Sequence, residues 1–188
     1  MDRKKEGFYF EEDKHEYWLG NRKLPPVTHI VGNVLGSPNF ATEWHLNRGT
    51  QTHKCISLYL RQQLDESSID PRIQNRFNQA KKAIRELGIQ PLLVELPMVH
   101  KILGFAGTPD LLTAEGILID WKNSSMANSQ PQGGGYIILL ENQGYKVKKY
   151  YEIVLSDKKY ILNEYKPARC KGLFLACLTI YQFKKNGK

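Results

Sequence analysis

Between Gly107 and Lys122 two apolar runs, Leu111-Leu112 and Ile117-Leu118-Ile119, flank a short turn, Thr113-Ala114-Glu115-Gly116. Two β-forming runs around a Gly-containing turn predict a hairpin, and the hairpin constrains its charged residues. Alternation along a strand sends Asp120 and Lys122, two apart, to the same face. Asp110 opens the first run, so the neighbouring strand carries it towards the same end. Two carboxylates and one ammonium then converge beside otherwise apolar strands. Carboxylates are hard oxygen ligands suited to Mg²⁺. A lysine beside such an ion can orient a water or offset charge developing on a phosphodiester. Spacing alone is met as well by a surface hairpin with a salt bridge, so the rest of the chain decides.

Composition narrows the field. The chain has 188 residues and 41% hydrophobic content, which suits one packed domain that buries roughly 70% of its unfolded surface. Lys and Arg number 27 against 19 Asp and Glu, a net charge of +8 that favours polyanionic partners. Cys55, Cys170 and Cys177 are odd in number and lack a Cys-x-x-Cys pair, which argues against a disulfide framework or a zinc site and suits a reducing compartment. The first residues, Met1 to Glu6, lead into no apolar signal core. The longest apolar stretch, Leu173 to Tyr181, is interrupted by Thr179 and is too short to span a bilayer. The expectation is a soluble, intracellular protein without a membrane partner.

Along the chain, residues 8 to 27 read as β-structure with Gly20-Asn21 as a two-residue turn, and Thr28 as the N-cap of a helix ending near Gly36. A helix is expected from about Thr50 to Leu64. The next is better marked: Asp70 caps it, Pro71 opens it, and Ile73, Phe77, Ala80, Ile84 and Leu87 form one stripe before Gly88. Strands are expected at 92–100, 104–112 and 117–123. The segment 129–143 has helical character, although Gly133-Gly134-Gly135 disfavours a helix by about 1 kcal/mol per residue relative to Ala. Those glycines fit either a close approach of a DNA backbone or a bent helix start. Strands at 147–155 and 159–165 and a closing helix at 168–184 complete one domain over 1–188: a β-hairpin region at 8–27, a core at about 48–136 and a C-terminal part at 146–184.

The pattern Gly107-Thr108-Pro109-Asp110, a turn, then Ile119-Asp120-Trp121-Lys122 resembles the active-site core of the PD-(D/E)XK nucleases, and within them the RecB-type branch that includes phage exonucleases. Arg48-Gly49-Thr50-Gln51-Thr52-His53 resembles that branch's Gly-Thr-x-x-His helix start. Glu95 stands where many members carry an acid. Gln132-Gly133-Gly134-Gly135-Tyr136 resembles its Gln-x-x-x-Tyr motif, although bulkier residues usually fill the middle. Upstream, His15-x-Tyr17 and Leu24-Pro25-Pro26-Val27-Thr28 resemble the entry of phage members. The resemblance implies an α/β fold with a mixed central sheet flanked by helices. It implies catalytic roles for Asp110, Asp120, Lys122 and Glu95, and a site for one or two Mg²⁺ or Mn²⁺ ions on His53, Glu95, Asp110, Asp120 and the backbone carbonyl of Trp121. Gln132, Tyr136 and Arg48 are the implied DNA contacts, Tyr136 by stacking on a base. Some relatives hold an iron–sulfur cluster on four cysteines; three cannot supply that set, so no cluster is expected.

Each residue also has a plainer reading. A lone His53 is more often a helix-surface imidazole, Glu95 an exposed strand residue, Gln132 a loop amide, Tyr136 a core aromatic and Arg48 a solvated helix end. His15, His29, His45 and His100 show no partner spacing and read as structural. The functional expectation is a metal-dependent deoxyribonuclease, an exonuclease acting on DNA ends or single strands in recombination, repair or DNA degradation. The alternatives are a structure-selective endonuclease with the same site and a non-catalytic DNA-binding module.

Overall fold

The chain begins, in the computed structural model, with a three-stranded antiparallel meander; residues 7–36, 43–124 and 127–187 are described, with backbone alone for 43–46. The meander is β1 (Phe8–Glu11), β2 (Glu16–Leu19) and β3 (Arg22–Leu24), with Gly20 at φ 58° in the expected turn. The following helix α1 (Val27–Leu35) starts directly after Pro26 and has no side-chain cap, so Thr28 lies inside it rather than capping it. Helix α2 (Glu43–Leu60) begins well before Thr50 and ends before the expected Leu64. Gly49 and His53 are therefore mid-helix, not on a first turn. Helix α3 (Pro71–Glu86) has the expected start, with the Asp70 carboxylate accepting the Arg72 N–H at 2.9 Å.

The two strands expected at 92–100 and 104–112 each break. β4 (Pro91–Val94) and β7 (Leu111–Thr113) pair in the main sheet, whereas β5 (Met98–His100) and β6 (Phe105–Gly107) form a separate two-stranded ribbon. Glu95 at φ 45°, then Pro97, turn the chain after β4. Pro109 lacks the N–H a continuous ladder needs, and the chain bends again at Asp110. The expected hairpin forms between β7 and β8 (Ile117–Lys122), with Leu111 opposite Ile119 and Gly116 at φ 84° in the turn. Helix α4 (Ser129–Asn142) then crosses to β9 (Lys149–Leu155), which pairs parallel with β8; β10 (Tyr160–Tyr165) adds antiparallel, and α5 (Pro167–Asn186) closes the chain. The main sheet has the order β10-β9-β8-β7-β4, a mixed sheet between helical layers.

Both faces of this sheet are covered. Leu112, Leu118 and Tyr150 pack under α1, α4 and α5; Leu111, Ile119, Trp121 and Ile153 pack under α2 and α3. Alternation therefore puts Asp120 and Lys122 on the α4 side, with Leu118.

The glycine run serves neither role expected of it. Helix α4 is continuous through it. A Cβ on Gly133 would strike the Tyr150 ring, one on Gly134 the Cys170 carbonyl of α5, and one on Gly135 the Val27 and Phe174 side chains. Three bare positions let α4 lie against β9, α5 and α1 together, which offsets their poor helix propensity. Among the described residues no helix is long and apolar enough to cross a membrane.

Two glycines thus predict opposite outcomes. Gly134→Ala meets backbone that cannot swing aside and should destabilise by about 1–3 kcal/mol or more. Gly172→Ala, on the exposed part of α5 with nothing within 4 Å of the added carbon, should stabilise by up to about 1 kcal/mol. Thermal unfolding of the two variants checks the sign of each.

Candidate active site

The end of β8 and the bend before β7 bring the charged residues together. The Trp121 N–H donates to Asp110 Oδ2 at 2.8 Å, which fixes the Asp110 carboxylate beside the strand carrying Asp120. His53 Nδ1, from α2, lies 3.4 Å from the same oxygen. Lys122 Nζ is 2.8 Å from Asp120 Oδ2 and donates to Gln132 Oε1 at 3.0 Å; Gln132 Nε2 in turn donates to the Tyr136 hydroxyl at 3.1 Å. The expected same-face placement of Asp120 and Lys122 is thus seen as an ion pair, and Gln132 and Tyr136, four apart on α4, join it by a hydrogen-bonded chain.

Burial and charge oppose each other here. Burial and the nearby Asp110 charge push the Asp120 carboxyl up to about 6, against the pull of Lys122. Burial would raise Asp110 too, but His53, Lys122 and the Trp121 N–H outweigh it and hold the group low. Burial would lower Lys122 and His53, yet the two carboxylates keep both high. The cluster therefore holds its cations firmly while one carboxyl resists ionisation, the signature of negative charge concentrated in a poorly solvated place.

Glu95 stands just past the end of β4 rather than within the strand, at φ 45°. Its N–H donates to the Asp110 carbonyl at 2.9 Å. Burial and the Asp110 charge raise its carboxyl, against His53, Ser57 and Arg61. His53 and Ser57 lie one turn apart on α2, and Arg61, just past its end, donates to the Val94 carbonyl at 2.6 Å. A left-handed glutamate is a strained conformation that packing must hold.

Three carboxylates, an imidazole and a main-chain carbonyl are donors of the kind Mg²⁺ or Mn²⁺ takes, and the raised Asp120 and Glu95 fit a place where further positive charge would be welcome. Among the described residues no three acidic, His or Cys side chains are drawn into one ready shell. The chemistry of the donors fits a divalent ion; the arrangement of the described side chains is not that of a metal shell.

Other placements explain neighbouring residues. A Cβ on Gly49 would lie 2.8 Å from Asn123 Nδ2, so the glycine lets α2 approach the end of β8. Asn123 accepts from Arg76, which is buried on α3 and also reaches the Leu155 carbonyl and Asp157. Among the described residues Arg48 Nε is buried without a hydrogen-bond partner. Tyr136 is 6% exposed in the core under α1 and α5, so its ring offers no open face for a base to stack on; its hydroxyl is what reaches Gln132.

Sequence reasoning missed the support behind the site. Glu152 on β9 stands in register with Asp120 and is fully buried. It accepts from the Ser129 hydroxyl, from Asn163 at 2.8 Å and from Tyr165 at 3.0 Å. Tyr150 donates to the Ser129 carbonyl at 3.0 Å and lies 3.4 Å from Asp120 Oδ2. One signal was present: Glu152 is a lone acid between Tyr150-Tyr151 and Ile153-Val154-Leu155, in a strand apolar on both sides.

No protein-family model matches the chain, and comparison with curated proteins gives no match. Among solved structures it is similar to a protein from Eubacterium rectale provisionally named an exonuclease, at TM-score 0.50 and 11% identity, over 88% of this chain and 76% of that one. It is also similar to LHK-Exo in complex with dAMP, at TM-score 0.45 and 15% identity over 86% and 89% of the two chains, and to SSO0001, at 0.34 and 13% over 82% and 83%. At such identities the first likeness shows a shared mixed α/β fold.

The burial of Tyr136 makes a stability prediction. Tyr136→Ala should cost about 3–5 kcal/mol, as truncation of a buried aromatic does. Tyr136→Phe keeps the ring, loses only the Gln132 contact and should cost about 1 kcal/mol. Denaturant unfolding of both variants measures the gap.

Proposed function

We propose that the chain is a metal-dependent deoxyribonuclease of the PD-(D/E)XK type, an exonuclease acting on DNA ends or single strands. The observation that carries this reading is Lys122 gripped between Asp120 and Gln132, with Asp110 beside it tied to His53 and the Trp121 N–H. A surface hairpin has no need of a half-buried ammonium held on two sides. The net charge of +8 suits a phosphate backbone.

His53, Glu95, Asp110, Asp120 and the Trp121 carbonyl would hold Mg²⁺ or Mn²⁺. When bound, the ion would supply Lewis acidity towards a phosphodiester oxygen and towards water. The protein's own part is positioning. The Lys122 ammonium, kept charged by Asp120, orients the attacking water or offsets charge gathering on phosphorus. Gln132 fixes that ammonium, and the Tyr136 hydroxyl fixes Gln132. Tyr150 and the Glu152 group keep Asp120 from turning away. No element of the described chain projects side chains as a base reader, so sequence preference should be weak.

Cleavage of end-labelled single- and double-stranded DNA should stop in EDTA and return with Mg²⁺ or Mn²⁺. Lys122→Ala should abolish cleavage while DNA affinity in Ca²⁺ stays within several-fold, since one cation is one contribution among many. A Lys122→Ala protein that cleaves at a comparable rate would overturn the assignment, and cleavage of closed circular DNA would move it to an endonuclease.

A further inference from the structure

A second place on the molecule has the makings of a ligand site, outside every residue assigned above. Beneath the N-terminal meander a cleft of about 480 Å³ opens between β2, β3, the start of α1 and the end of α5. That volume is in the range of small-ligand pockets. Among the described residues its walls mix cations and rings: Lys14, Lys23 and Lys185 with the acid Glu16, and His15, His29, Tyr17 and Tyr181 between them. Lys23 is ion-paired with Glu16, and Lys14 with Glu11 outside the cleft, so the surplus positive charge of the described walls rests on Lys185.

Two features mark it as built. His15 has φ 51°, a left-handed conformation uncommon outside glycine. It is held there by the Tyr17 hydroxyl, 3.1 Å from Nε2, and by the edge-on Phe10 ring. The strain leaves an imidazole in the wall of the cleft, the kind of outlier from which a functional hypothesis is fairly drawn. The walls also hold His29 and Tyr181, which meet edge to face with ring centres 5.6 Å apart; His29 is exposed and Tyr181 half-buried.

The cleft also connects to the candidate active site. The Tyr17 hydroxyl lies 2.8 Å from Thr108 Oγ1, and Thr108 is two residues before Asp110.

We infer that this cleft is a nucleotide subsite, in which Lys185, beside the Lys23–Glu16 pair, takes a phosphate and Tyr181 with His29 takes the attached base of a single strand leading away from the candidate active site. The inference rests on the nuclease reading for the direction of the strand. Phosphate–lysine contact supplies sequence-independent affinity, and base–aromatic stacking is sequence-tolerant, so the site suits a strand followed without being read.

The test uses the full chain, a fluorescent single-stranded 12-mer and Ca²⁺ in place of the working ion. His29→Ala combined with Lys185→Glu, both surface changes, should weaken 12-mer binding at least about tenfold with unchanged melting. Tyr181→Leu keeps apolar bulk but removes the ring and should weaken it at least about fivefold. Hydrolysis of bis(p-nitrophenyl) phosphate with Mn²⁺, which needs only the candidate active site, should stay within about twofold for all variants. Affinity within twofold of wild type in the double variant would overturn the subsite. Loss with Lys185→Glu alone, measured beside the double variant, and none with Tyr181→Leu would overturn the base contact and leave only charge. If wild type fails to hydrolyse the small diester while the 12-mer losses hold, the subsite stands and the hydrolytic reading falls.

Discussion

Asp120 and Glu152 face each other in register on the paired strands β8 and β9, at 1% and 0% exposure, and most of the local architecture answers to that. Removing a carboxylate from water costs several kcal/mol unless partners replace the lost solvation. The partners come from separate elements: Lys122 from β8, Ser129 from the start of α4, Tyr150 from β9, Asn163 and Tyr165 from β10. Satisfying two buried acids therefore fixes where α4 starts and how β10 sits. Loss of one partner strands a charge rather than a neutral group, so the network is held as a unit.

Helix α4 carries the consequences outward. Its first turn serves Glu152 through Ser129, and one turn later Gln132 reaches Lys122. Both contacts require the helix to ride close to β9, which is possible because Gly133 has no side chain to meet Tyr150. The same bare stretch admits α5 and α1 from behind. A motif whose ends carry polar chemistry thus has a middle set by packing, and the two demands are met by one helical segment.

The other side of the candidate site is set by strain and loops. Glu95 sits left-handed after β4, tied by its N–H to the Asp110 carbonyl, while Asp110 is tied by its carboxylate to Trp121. Main chain on one side and side chain on the other leave Asp110 little freedom. The N-terminal meander leans on the same bend through Tyr17 and Thr108, so a segment remote in sequence buttresses the turn that presents the acid.

How much of this was legible depends on the range of the interaction involved. The β7–β8 hairpin, the shared face of Asp120 and Lys122, the Asp70-capped helix and the helix–strand order were readable, because alternation, capping and turn chemistry act over a few residues. The start of α2 and the division of 92–112 into four strands were not, and for Tyr136 core and DNA contact both stayed open, since each depends on what packs against the segment. The clearest case is Gly133-Gly134-Gly135. Composition determined that α4 would be poor in helix propensity; only the tertiary structure decided that it is a continuous helix, because the Tyr150 ring, the α5 backbone and the Val27 side chain occupy the space that side chains there would need. Glu152 is the converse. Its sequence determined a charge in an apolar strand, and its meaning came only when the parallel pairing of β8 and β9 set it beside Asp120, a contact across thirty-two positions of chain that no local pattern encodes.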